Sequence, residues 1–110
     1  MAYDEELADR VRGHLEGLPD LREQRMFGGL AFLVGGHMAV AASGQGGLLL
    51  RCDPVDTDRH AAEPGVGPFV MRHREMNGWL AVAASAVATE PDLERWVGVG
   101  LAYAASLPPK

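Results

Sequence analysis

The sequence predicts an α+β domain: an antiparallel sheet of four to five strands with an N-terminal and a C-terminal helix packed on it. Three observations lead there. The stretch 25–53, RMFGGLAFLVGGHMAVAASGQGGLLLRCD, reads as three strand-like segments joined by glycine-containing turns too short for a parallel crossover. Near each end, apolar residues recur at three- and four-residue spacing, the signature of a helix lying on a core. With 110 residues and 47% hydrophobic content, the chain can build one core but not two, which makes residues 1–110 a single domain.

Residues 4–16 form the expected first helix. Asp4 is its N-cap, Glu5 and Glu6 favour the positive end of its dipole, and Leu7, Val11, His14 or Leu15, and Leu18 make its apolar stripe. Gly17 and Leu18-Pro19 stop it, while Gly13 weakens it by up to about 1 kcal/mol relative to alanine. The first strand is expected over 24–34, with Met26, Leu30, Phe32 and Val34 on one face and Phe27, Ala31 and Leu33 on the other. Gly28-Gly29 interrupts it as a bulge, a twist or a point of close backbone approach.

Gly35-Gly36 then suits a hairpin turn that needs positive φ. The second strand, 37–42, alternates Met38 and Val40 against Ala39 and Ala41, and the glycine-rich 43–47 is a loop. The third places Leu48, Leu50 and Cys52 on one face and Leu49 and Arg51 on the other. Residues 54–68 read as an exposed connection with a helical turn over 57–63. A further pair, 69–74 and 79–84, is expected to turn around Met76-Asn77-Gly78, because Asn-Gly is a strong hairpin signal. Small Ala81, Ala83 and Ala84 beside Trp79 suggest a helix packed closely over that strand. The closing helix starts at an N-cap Thr89, with Pro91 in its first turn and Leu93, Trp96, Val97, Gly100, Leu101 and Ala104 as its stripe.

Charge narrows the function classes. Ten Lys and Arg against fifteen Asp and Glu give a net charge of −5, and the cations are scattered, so direct nucleic-acid binding is disfavoured but left open. A single cysteine, Cys52, excludes an internal disulfide and a cysteine-rich zinc site and agrees with a reducing cytoplasmic setting. Neither an apolar leader nor a stretch of about 20 apolar residues is present, so no membrane partner is expected.

Residue chemistry is sparse. Asp53, Asp56, Asp58 and His60 match neither a calcium loop nor a zinc motif and read as a solvated, helix-capping loop. Cys52 with His60 offers a thiol and a base but no third orienting group, so a buried thiol is the simpler reading. Arg51, Arg72, His73 and Arg74 form the candidate polar contact site, able to clamp a phosphate, a carboxylate or an acidic partner; strand alternation would turn Arg72 and Arg74 away from His73. No glycine run is placed as a nucleotide-binding turn. No catalytic residue, cofactor or metal is assigned.

The segments MFGGLAFLVGGHMAVAA, LLLRCD, PFVMRHREMNGWLAVAA and LERWVGVGLAYAASLPPK resemble, in that order, the TfoX N-terminal domain family. Met26, Phe27, Gly28, Gly29, Phe32, Gly35, Met76, Gly78, Trp79, Trp96, Pro109 and Lys110 fall where the family pattern has like residues. The resemblance implies a compact α+β domain without an established enzyme activity or cofactor. Some members are N-terminal halves of regulators of natural transformation competence; this sequence is expected to be a stand-alone copy lacking their second domain. The expected function is a non-enzymatic protein-interaction or regulatory adaptor domain, acting through a protein partner or a second copy as a homodimer. The alternatives are a small-ligand or anion-binding domain, an enzyme using Cys52 and His60, and a nucleic-acid-associated regulator.

Overall fold

The computed structural model describes residues 3–26 and 28–108. Phe27, Pro109 and Lys110, to which the resemblance gives pattern positions, lie outside them. In chain order the elements are α1 (Glu5–Leu15), β1 (Leu21–Met26), β2 (Gly29–Val34), β3 (His37–Ala42), β4 (Leu48–Arg51), α2 (Thr57–Ala61), β5 (Val66–Met71), β6 (Arg74–Val82) and α3 (Glu90–Ser106). Short 3-10 turns occupy Pro54–Asp56 and Ala84–Val87. The strands form one antiparallel sheet of six, in the order β1-β2-β3-β4-β6-β5, rather than the four to five expected.

The extra strand comes from the expected first one, which divides at the glycines. Met26 pairs with Gly29, so β1 and β2 are the arms of a hairpin. Gly28 takes a φ of +75°, and a Cβ on Gly29 would stand 2.1 Å from the Ala42 carbonyl oxygen, so close backbone approach explains the second glycine. Met26 therefore shares a strand with Leu21 rather than with Phe32, and packs with Ala31 and Leu33 on the opposite face.

Both long helices cover one face of the sheet. Asp4 accepts from the Leu7 amide at 3.1 Å and Thr89 accepts from the Asp92 amide at 3.3 Å, as the capping pattern requires. Leu7, Val11 and Leu15 of α1 and Leu93, Trp96 and Val97 of α3 pack with Leu30, Phe32, Val40, Leu48, Leu50 and Leu80 in the main core. Gly100 lets α3 sit against β3, since a Cβ there would lie 2.4 Å from the Ala39 carbonyl oxygen. That carbonyl is available because the β2–β3 register slips there: Phe32 pairs with Val40 but Leu33 with Met38. The slip also corrects the expected alternation, sending Val40 to the helical face and Met38 to the other, beside Ala41.

The last hairpin differs most from expectation. Its turn is Arg72-His73, with φ of 54° and 64°, and Asn77-Gly78 lies inside β6. Pro68 pairs with Leu80 and Phe69 with Met76, so Asn77, Gly78 and Trp79 bulge out of the β5–β6 ladder. Gly78, at φ +85°, serves this bulge rather than a turn. Its N–H donates to Thr57 Oγ1 at 2.8 Å, its carbonyl accepts from the Cys52 amide at 2.9 Å, and the Thr57 hydroxyl donates to the Pro54 carbonyl at 3.0 Å. A buried tertiary knot thus overrides the local turn signal. Ala81 is exposed, so no helix covers that side of the strand.

A two-residue turn with positive φ favours Asn-Gly, and bulkier residues held there carry strain of order 1 kcal/mol each. Replacing Arg72 by Asn together with His73 by Gly should stabilise the protein by about 1 kcal/mol. A higher urea midpoint with an unchanged slope is the expected result; a lower midpoint would show that these side chains hold the hairpin.

Candidate functional site

Across the sheet from the helices, Ala31, Met38, Ala41 and Leu49 form a second, smaller apolar cluster, flanked by half-buried Met26, Leu33, Phe69 and Trp79. β1 and β5 stand at opposite ends of the strand order, yet Met26 of the first and Phe69, Val70 and Arg72 at the second's end line the same cleft. The sheet must curl strongly to bring them together, and the bulges in β3 and β6 add twist in that sense. The cleft is about 300 Å³, with buried Ala41 and Leu49 at its base and Ser43 and Gln45 among its polar lining. Val70, 53% exposed, stands at the edge of the cleft.

The candidate polar residues separate into two groups. Arg72, His73 and Arg74 are exposed at the β5–β6 turn, where Arg72 reaches the cleft. The turn, rather than strand alternation, governs their directions. Arg51 lies elsewhere, at the end of β4, paired in register with Trp79 and over its ring at 5.1 Å from the centroid. Trp96 is 2% exposed, so it is a core residue and not a surface anchor. Phe69 and Trp79 remain half-buried, their ring centroids 6.5 Å apart.

Cys52 and His60 are set up for packing. The Cys52 side chain is in the main core, 3.8 Å from the Thr57 hydroxyl, and burial pushes its pKa up. A thiol kept protonated is the reverse of what a nucleophile needs. His60 meets Trp96 edge-on at 5.4 Å between centroids. Asp53 caps the Val55 amide and Asp56 pairs with Arg59. Among the described residues no group of His, Cys, Asp and Glu is placed to hold a metal ion. No helix among them is long and apolar enough to cross a membrane. Thr57, which ties α2 to the β6 bulge, was not legible in the sequence, because a threonine at a helix start carries no sign of a distant amide partner.

Ion pairs tie the helices to the rest of the chain. Arg12 engages Glu23 of β1, Arg95 engages Glu63 after α2, and Arg10 and His14 both reach Glu90 at the start of α3. Each arginine holds its carboxyl below the ordinary value of 4.5, with His14 adding to the effect at Glu90. A depressed folded pKa gives stability that is present above the unfolded value and lost as pH falls through the folded one. The melting temperature should therefore drop as pH is lowered from 6 through about 4 and below, and added salt should shrink the drop because these pairs are largely exposed. A flat melting temperature across that range would mean that the pairs contribute nothing measurable.

The cleft thus sits in a six-stranded α+β domain and has an apolar floor with Ser43, Gln45 and Arg72 among its lining. The model of the TfoX N-terminal domain matches residues 13–104, and the chain belongs to that family. No curated protein and no solved structure matches the chain.

Proposed function

We propose that this chain is a non-enzymatic protein-interaction domain of regulatory type, and that its cleft receives a partner segment pairing an apolar side chain with an acidic one. The observation that carries the reading is the joint presence of exposed Val70 and of Arg72, which has no ion-pair partner among the described residues, along a cleft with an apolar floor. An apolar side chain gains by leaving water over Ala41 and Leu49, and a neighbouring carboxylate gains a forked hydrogen bond from Arg72. Arg74 beside it adds a second positive charge in a chain whose net charge is −5. Family membership supports a regulatory role, since some members are parts of competence regulators.

The test uses short peptides with Leu or Phe next to Asp or Glu, titrated against the protein and followed by amide chemical shifts. Saturable shifts at Ala41, Leu49 and Val70 are expected, weakened at least about tenfold by Arg72→Glu. Equal binding of peptides with Lys in place of the acid, or unchanged binding by a folded Val70→Glu variant, would overturn the reading. Self-association is the competing occupant: amide shifts at the same positions that depend on protein concentration, with dimer in sedimentation, would assign the cleft to a second copy.

A further inference from the structure

Arg51 is outside the cleft and stands in an unusual setting for a cation. Its guanidinium carbon is 5.1 Å from the Trp79 ring centroid and 5.2 Å from that of Tyr103, which α3 brings over the end of the sheet. Its Nε–H is buried and meets no acceptor. Arg10, Arg12 and Arg95 each engage a carboxylate, whereas Arg51 has none among the described residues. The residue is only half-buried, and its terminal nitrogens are not among the buried polar atoms that lack partners, so the outer edge of the group is open to solvent.

We propose that Arg51 anchors a carboxylate-binding site with Trp79 and Tyr103 as its walls. Ring contacts engage the faces of a guanidinium and leave its N–H edge unused. That edge is a rigid planar fork that matches a carboxylate bidentately. Nε is closed to solvent and to a ligand alike, so the fork that a carboxylate meets is the pair of terminal nitrogens at the open edge. The rings limit rotation of the side chain and remove part of its solvent, which orients the fork before a ligand binds and strengthens the contact. A planar carboxylate fits between aromatic walls better than a tetrahedral phosphate. Its source is either an acidic side chain of a peptide or a free small carboxylic acid. The site uses none of the residues lining the cleft, so this assignment stands or falls independently of the reading above.

Three probes test it: a Glu-rich hexapeptide, succinate and inorganic phosphate, each titrated against the full chain while the backbone amide of Arg51 and the indole N–H of Trp79 are followed. A saturable shift of both signals by the peptide or by succinate is expected. Arg51→Lys, which keeps the charge but loses the fork, should weaken binding about tenfold, and Tyr103→Leu should weaken it with the guanidinium intact. Tighter binding of the peptide assigns the site to protein carboxylates, and comparable binding of succinate assigns it to small acids. The proposal is overturned by no saturable shift with either carboxylate, by phosphate binding more tightly than both, or by wild-type affinity in a folded Arg51→Lys variant. Amide dispersion of each variant establishes that it is folded, and Tyr103→Leu supplies the second route should Arg51→Lys fail to fold.

Discussion

Replacing Trp96 by alanine should destabilise the protein by about 3–5 kcal/mol, a large share of the roughly 5–15 kcal/mol by which such domains are stable. Trp96 is 2% exposed and sits on α3 at the centre of the main core. Its ring meets His60 of α2 edge-on, and the Arg95 guanidinium lies over it at 4.4 Å. Truncation therefore removes the contact that α2 and α3 share, besides leaving a cavity that the flanking sheet cannot fill. Phenylalanine at the same position keeps most of the apolar volume and should cost less than half as much. The check is denaturant unfolding followed by circular dichroism, with Trp79 left as the one fluorescent indole of the chain's two. A loss below about 1 kcal/mol for the alanine variant would mean that α3 is not docked through this ring.

Two glycines of α3 should respond in opposite directions to alanine. Gly98 is exposed with nothing within 4 Å of a Cβ, so Gly98→Ala should stabilise by up to about 1 kcal/mol through helix propensity alone. Gly100→Ala receives the same propensity gain but places its methyl 2.4 Å from the Ala39 carbonyl oxygen and 2.8 Å from Val40 Cγ1. Backbone does not yield as a side-chain tip does, so α3 must lift from β3. Overpacking of this kind costs about 1–3 kcal/mol or more, and the contact should outweigh the propensity. The two variants share one helix and one chemical change, so their difference measures the close approach itself. Equal unfolding midpoints would refute the Gly100 contact with the β3 bulge.

Much of the fold was legible because it rests on local rules. Asp4 and Thr89 are caps because short polar side chains accept from amides two or three residues on, and both accept as expected. Period-2 alternation correctly put Leu48, Leu50 and Cys52 against the helices and Leu49 on the other side, while the Arg51 guanidinium reaches Tyr103 of α3 as well as Trp79. Periodicity failed wherever an extra residue broke the count. The slip at Ala39 reversed Met38 relative to Val40, and no local feature of HMAVAA marks it; the carbonyl it frees meets Gly100 from the far end of the chain.

The candidate site was read in part. The residues named for polar contact are at the surface or half-buried, but the sequence treated Arg51, Arg72, His73 and Arg74 as one group. The structure divides them, since Arg51 answers to Trp79 and Tyr103 and the rest belong to a turn. Asn77-Gly78 had the stronger local preference for that turn. It lost because Gly78 is held by Thr57 and Cys52 in the bulge.

By itself, then, the sequence determined the class of the domain, its helix boundaries to within a residue or two, and the faces of its regular strands. These follow from side-chain spacing and capping, which act over three or four residues. Tertiary structure alone decided the sixth strand, the two bulges, the curl that brings β1 and β5 to one cleft, and the aromatic setting of Arg51. The sixth strand rests on Gly28 and on the close approach of Gly29 to Ala42. The others depend on contacts between residues farther apart in the chain, and at Gly78 their free energy exceeds the local preference of roughly 1 kcal/mol that would have placed the turn elsewhere.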